Sequence, residues 1–142
     1  MPSEPTPADF DAIFAQTRTI AVVGLSPDPD RSSHGVASYL QQAGYRIIPV
    51  NPNARAVLGE RAYPDLRSVP EPVDLVDVFR RSEFVPEIAE ETVAISAKAL
   101  WLQLGVVHEP AARRARAAGL TVVMDRCLAV EHRFWLARRA NG

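Results

Sequence analysis

Short apolar runs alternate with amphipathic stretches along this chain, almost without a break from residue 19 to residue 124. Five of the runs are rich in Val, Ile, Leu and Ala and are bounded by Gly, Pro, Asp or Asn, which predicts strands over residues 19–24, 45–50, 74–79, 99–104 and 120–124. Helical spacing is predicted between them, over residues 35–42, 85–95 and 110–118, with the first helix ending near Gly44. Phe10, Ile13 and Phe14 recur at helical spacing and predict a leading helix near residues 8–17, and a closing helix is predicted near 130–139. Residues 58–63 read as a small extended excursion.

Strands this apolar need cover on both faces, and parallel neighbours joined through helices supply it. The expected fold is therefore a Rossmann-like three-layer α/β/α sandwich, with a mostly parallel sheet of about five strands. A chain of 142 residues, 47% apolar and 23% charged, suits a single domain over residues 1–142 with one substantial core.

Charge and cysteine usage narrow the function. The formal charge is −1 and the pI near 6.3, so no broad basic field exists to hold nucleic acid. Cys127 is the only cysteine, which excludes an intramolecular disulfide and fits a reducing compartment. The opening MPSEPTPADF lacks a basic n-region and an apolar h-region, and the apolar runs fall far short of the roughly 20 residues that cross a bilayer. A cytoplasmic protein without membrane or nucleic-acid partners is expected.

Ligands of such sheets collect outside the carboxyl ends of the strands. After the first strand, GLSPDPDRSS supplies Gly24, where a missing side chain lets backbone approach a phosphate, and donors from Ser26, Arg31, Ser32 and Ser33 at the positive end of a helix. The alternative is ordinary turn chemistry, with Ser32 or Ser33 merely capping the helix; Asp28 and Asp30 would repel a diphosphate unless they point to solvent. The loop is not G-x-G-x-x-G, and the second strand ends in Pro49-Val50-Asn51-Pro52 in place of an acidic residue for ribose, which argues against NAD. Prolines flanking Val50 offer a flat face for adenine, and Arg55 is either a partner for an extra ribose phosphate or a solvated cation. After the third strand, Phe79-Arg80-Arg81-Ser82 presents an aromatic face and two cations, unless Phe79 is core. Trp101 and Gln103 share one side of the fourth strand, which would turn the Gln103 amide toward a cleft floor while Trp101 packs in the core.

Other chemistry is weaker. Cys127, Glu131 and His132 are close enough in sequence to form a thiolate, a carboxylate and a base, but a buried thiol and a surface histidine are the commoner arrangement. Cys127, His34, His108 and His132 lack metal-ligand spacing. Glu60, Asp74, Asp77, Glu83, Glu90 and Glu91 form no convincing acid–base pair and are expected at the solvated surface, as are Arg113, Arg114 and Arg116.

The blocks AVVGLSPDPDRSSHGVASYL, GYRIIPVNP, LGERAYPDL, VDLVDVFRRSEFVPEI, ALWLQLGV and VVMDRCLAVEH, in this order, resemble the small single-domain CoA-binding proteins of the YccU type. That family is similar in fold to the CoA-binding domain of the succinyl-CoA synthetase α subunit. The resemblance implies a protein that binds coenzyme A or an acyl-CoA without catalytic machinery. It implies that Gly24, Ser26, Arg31 and Ser33 contact the diphosphate, that Pro49, Val50 and Asn51 border the adenosine, and that Phe79 and Arg80 line the path of adenosine or pantetheine. Gln103 and the segment from Met124 to Cys127 would lie toward the thiol end, where a mixed disulfide between Cys127 and CoA becomes an expectation under oxidation. Ser32, Pro52 and Arg55 complete the expected binding set from the residue reading alone. Two other functions stand beside this one: an enzyme using NAD(P) or an acyl-CoA with Cys127 or His132 reactive, and an assembly protein whose helical tail responds to the ligand.

Overall fold

A computed structural model describes residues 4–142; residues 1–3, the start of the segment read for a leader, lie outside the described residues. The chain opens with helix α1 (Pro7–Gln16), whose start is fixed by a capping box: the Thr6 hydroxyl accepts the Asp9 N–H at 3.2 Å and the Asp9 carboxylate accepts the Thr6 N–H at 2.8 Å. There follow β1 (Thr19–Val23), α2 (Ser32–Gln42), β2 (Arg46–Val50), β3 (Ala56–Val57), β4 (Glu60–Arg61) and β5 (Leu75–Val78). The chain ends with α3 (Val85–Ala94), β6 (Ala99–Leu102), α4 (Glu109–Ala117), β7 (Thr121–Val123) and α5 (Leu128–Asn141).

The main sheet has five strands, all parallel, in the order β2-β1-β5-β6-β7. This is the expected Rossmann-like α/β sandwich. The excursion expected at 58–63 is the β3–β4 hairpin, and it begins earlier because Leu58 and Gly59 make the turn, with φ of 55° and 76°. Tyr63 ties it to the end of β2 through a bridge to Val50.

Each face of the sheet has its own core. Ala21, Val23, Val76, Val78, Leu100 and Leu102 lie beneath Val85, Ile88 and Ala89 of α3 and Ala111, Ala112 and Ala115 of α4. Ile20, Val22, Leu75, Trp101 and Val123 lie beneath Phe10, Ile13 and Phe14 of α1, Ala37 and Leu40 of α2, and Leu128 and Trp135 of α5. After β2 the chain returns across β1 to build the rest of the sheet, so α2 and α3 leave on opposite faces. The strand order reverses between β1 and β5, and a crevice opens there at the carboxyl edge.

Four surface assignments are corrected by this packing. Asp77 lies in the row Val22–Asp77–Trp101, fully buried, with neither carboxylate oxygen hydrogen-bonded to a partner among the described residues. A strand covered on both faces buries every position, so β5 hides its one acid with its neighbours. Asp74, at the opposite end of the strand, accepts the N–H groups of Arg18 and Thr19 through Oδ2, both at 3.0 Å. His132 is also buried: its Nδ1 pairs with the Tyr39 hydroxyl at 2.7 Å, and Phe14, Tyr45 and Trp135 ring it at 5.2–5.6 Å between centroids. Arg116 is half-buried, its Nη2 donating to the carbonyl of Val122 at 3.1 Å.

Candidate functional site

At the crevice, β1 hands over to a loop whose conformation is set residue by residue. Gly24 takes φ of 86° and donates its N–H to the carbonyl of Val50 at 2.9 Å. A Cβ on Gly24 would meet the main-chain oxygen of Phe79 at 2.7 Å, so glycine is required by the crossing of β5 as well as by the turn. Leu25 turns inward and is fully buried, and Asn51 Nδ2 donates to its carbonyl at 2.9 Å.

The loop is then stapled to α2. The buried Ser33 hydroxyl accepts the Ser26 N–H at 3.0 Å, and the Ser26 hydroxyl accepts the Asp28 N–H at 3.1 Å. Ser33 is thus a brace within the first turn, not the cap: the cap position is Arg31, whose side chain makes no capping bond, and α2 begins at Ser32, three residues earlier than predicted. Among the described residues, the N–H groups of Ser32 and Ser33 find no acceptor. Two orphan donors at a positive helix end are what an anion uses. Gly24, Ser26, Arg31, Ser32, Ser33 and Phe79 together line a cavity of about 290 Å³ at this point. Asp28 and Asp30 are exposed and outside its wall.

A second cavity, of about 250 Å³, opens on the α3 side of the same edge. Val23, Val50, Leu66 and Ile88 are its buried apolar residues, and Pro52, Pro64 and Phe84 add flat surfaces. Arg80 lines this second cavity and passes close to Gly24 of the first. Its Cδ lies 3.2 Å from the Cβ position of Gly24, and its guanidinium stacks 4.3 Å over the Phe84 ring in the wall of the second cavity. Neither Arg80 nor Arg31 is ion-paired to a carboxylate among the described residues. Acid sits on the other side of this cavity, in Asp65, Glu87 and Glu91; burial, then the charge of Asp65, pushes the Glu91 carboxyl above its usual range against the opposing pull of Arg67.

Nine of the residues singled out from the sequence therefore come together. Gly24, Ser26, Arg31, Ser32, Ser33 and Phe79 form the first cavity, and Val50, Pro52 and Arg80 the second. Pro49, Asn51, Arg55 and Gln103 line neither. Asn51 is a structural clip, donating to Leu25 and accepting the Asn53 N–H at 2.8 Å. Arg55 is exposed, with its main-chain oxygen bonded to Ala62 in the hairpin. Gln103 does not form a cleft floor: it is buried, and its Oε1 accepts the Leu128 N–H at 3.1 Å, satisfying the start of α5. The sequence reading missed Pro64 and Phe84. The available signal for Phe84 was its closeness in sequence to Arg80, whose guanidinium folds back over the Phe84 ring at the end of the short 3₁₀ turn Ser82–Phe84.

Cys127 and His132 are placed apart in role. Cys127 is half-buried, precedes α5 and lines a third cavity of about 530 Å³ beyond the ends of β6 and β7, whereas His132 faces the aromatic cluster. No hydrogen bond joins the two among the described residues. The histidine expected at the surface is buried, and the thiol expected to be buried is half-buried.

Comparison with known proteins places the chain in a family. YneT of Bacillus subtilis, an uncharacterized protein, is 45% identical over 128 residues, covering 90% of this chain and 95% of that one. A solved structure of a hypothetical protein from Pyrococcus horikoshii is 34% identical with a TM-score of 0.90, covering 96% of this chain and 99% of that one. An ADP-forming acetate–CoA ligase of Archaeoglobus fulgidus is 32% identical over 76 residues, which are 52% of this chain but only 11% of the ligase. The family model described as a CoA binding domain matches residues 18–133, from the start of β1 into α5, and thereby takes in the loop, the crevice and both cavities: this chain belongs to the CoA binding domain family.

Proposed function

We propose that this protein binds coenzyme A or an acyl-CoA as a non-catalytic binding or regulatory module. The diphosphate is assigned to the loop and first turn of α2, and the adenine to the slot beside Pro52, Pro64 and Phe84. The observation that carries the reading is Arg80, a cation with no carboxylate partner among the described residues, which lines a cavity with flat apolar walls and passes close to Gly24 of a neighbouring cavity rich in anion donors. A nucleotide with a diphosphate would place its base and its charge in those two cavities. The chemistry of the donors fits: free N–H groups from Ser32 and Ser33 and two guanidinium groups suit a diphosphate. Asn51 is committed to the loop and leaves no acid at the end of β2 for a ribose diol, which disfavours NAD. Arg55 is assigned to the 3′-phosphate of CoA. A cytoplasmic setting goes with this reading, because a single unpaired thiol belongs to a reducing compartment.

The test is isothermal titration of ligand-stripped protein with CoA, 3′-dephospho-CoA, NAD and NADP at fixed salt. Micromolar CoA binding, weakened without the 3′-phosphate and absent with NAD, is the expected result. Binding of NAD(P) without CoA overturns the reading.

A further inference from the structure

We infer that the third cavity, beyond the ends of β6 and β7, receives an uncharged acyl group, so that the ligand is a neutral acyl-CoA thioester; this rests on the CoA reading above. The cavity measures about 530 Å³, within the range of small-molecule sites. Leu104, Val107 and Val130 line it, and they are large apolar residues left 67%, 42% and 38% exposed. Met124 and Cys127 complete its soft, apolar part.

Reach connects it to the phosphate cradle. From β1 to β7 the sheet steps through β5 and β6, three spacings of about 4.8 Å, or roughly 14 Å along the carboxyl edge. The pantetheine arm has about a dozen bonds between its phosphate oxygen and its sulfur, which at roughly 1.2 Å per bond in an extended chain is roughly 15 Å. A diphosphate held at Ser32 and Ser33 therefore delivers the sulfur to the Met124–Cys127 turn, and whatever the sulfur carries enters the cavity beyond it.

Charge sets the class of acyl group. Glu4, Glu109, Asp125 and Glu131 line the cavity against Arg116 and Arg126. Arg126 is already shared between Glu4 at 3.4 Å and Glu131 at 3.6 Å, and Arg116 is bonded to Val122. The excess is acidic, so a second carboxylate on the acyl group is repelled while a saturated chain is accepted.

The experiment is isothermal titration of the wild-type protein, Leu104→Asp and Val130→Asp with CoA, butyryl-CoA, hexanoyl-CoA and succinyl-CoA. Wild type is expected to bind hexanoyl-CoA about tenfold more tightly than CoA, butyryl-CoA in between, and succinyl-CoA no more tightly than CoA. Each variant is expected to keep the affinity for CoA, which also reports folding, and to bind hexanoyl-CoA less than about twofold more tightly. Equal binding of CoA and all three thioesters, or a hexanoyl gain that survives both substitutions, overturns the acyl pocket and leaves the CoA site standing. Failure of every ligand to bind removes both.

Discussion

The main-chain oxygen of Phe79 occupies the space that any side chain on Gly24 would need: a Cβ there would approach it to 2.7 Å. Gly24 also holds φ at 86°, so a substitution meets strain in the turn and a collision with β5 at once. Gly24→Ala is expected to lower stability by about 1–3 kcal/mol and to lift the loop off the sheet end. Urea denaturation reads the first effect. A CoA titration reads the second, as a loss larger than that of Ser33→Ala, which removes only the hydroxyl that braces the loop at Ser26. A Gly24→Ala protein as stable as wild type would mean that the loop does not run so close to β5.

Arg80 and Arg55 offer a contrast between a cation built into the crevice and one outside it. Arg80 is held over Phe84, in the second cavity and close to Gly24 of the first, whereas Arg55 is exposed and lines neither. Loss of a charge-assisted hydrogen bond costs about 1.5–3 kcal/mol. Arg80→Ala is therefore expected to weaken CoA and 3′-dephospho-CoA alike, by roughly ten- to a hundredfold. Arg55→Ala is expected to weaken CoA alone and to bring it down to the affinity of the dephospho form. An equal loss of both ligands on Arg55→Ala would remove that residue from the 3′-phosphate.

The strands, the helices and the strand-end loops were legible in the chain because each carries a local signal: an apolar run, a helical period, a glycine or proline at the boundary. The first cavity was legible for the same reason, since Gly24, Ser26, Arg31 and Ser33 lie within one loop and one turn. The second was legible only in part. Pro64, Leu66, Phe84 and Ile88 reach it from a 3₁₀ segment (Leu66–Ser68) and its flank, and from α3 and its entry, and no local pattern announces that those pieces meet. Asp77, His132 and Gln103 were misplaced for one common reason. A polar side chain in a strand or helix reads as surface or ligand contact until the fold supplies its neighbours, and here the neighbours are Val22 and Trp101, the Tyr39 hydroxyl, and the N–H of Leu128.

The Tyr39–His132 pair makes stability depend on pH. Burial, and after it the charge of Arg133, holds the His132 imidazole below its ordinary pKa, so the unfolded chain takes up its proton before the folded one does. The stabilising contribution is present above about pH 6.5 and is lost as pH falls through the folded pKa. Tyr39→Phe is expected to cost about 1–3 kcal/mol at neutral pH by leaving Nδ1 without its partner. His132→Phe should remove the dependence itself, so that wild type loses stability relative to it on acidification below about pH 6.5. Parallel thermal melting profiles for the two proteins would mean that the His132 imidazole titrates in the folded protein as it does in the unfolded chain.

Asp77 acts with the opposite sign. Its carboxyl is pushed well above the ordinary range by burial, which outweighs the opposing pull of the nearby Val78 N–H; that N–H makes no hydrogen bond of good geometry to either oxygen, and neither has another partner among the described residues. The folded protein thus keeps a proton that the unfolded chain releases once pH exceeds about 4. Stability from this group is fully present below that point, declines as pH rises toward the folded pKa, and is lost above it. Asp77→Asn carries no such proton and no such decline. The stability difference between Asp77→Asn and wild type should therefore move in favour of the variant as pH rises from about 4, and His132, common to both proteins, drops out of the difference. Urea midpoints of the two proteins across that range decide the matter. A constant difference would mean that the Asp77 carboxyl titrates in the folded protein as it does in the unfolded chain, which a carboxyl sealed between Val22 and Trp101 does not do.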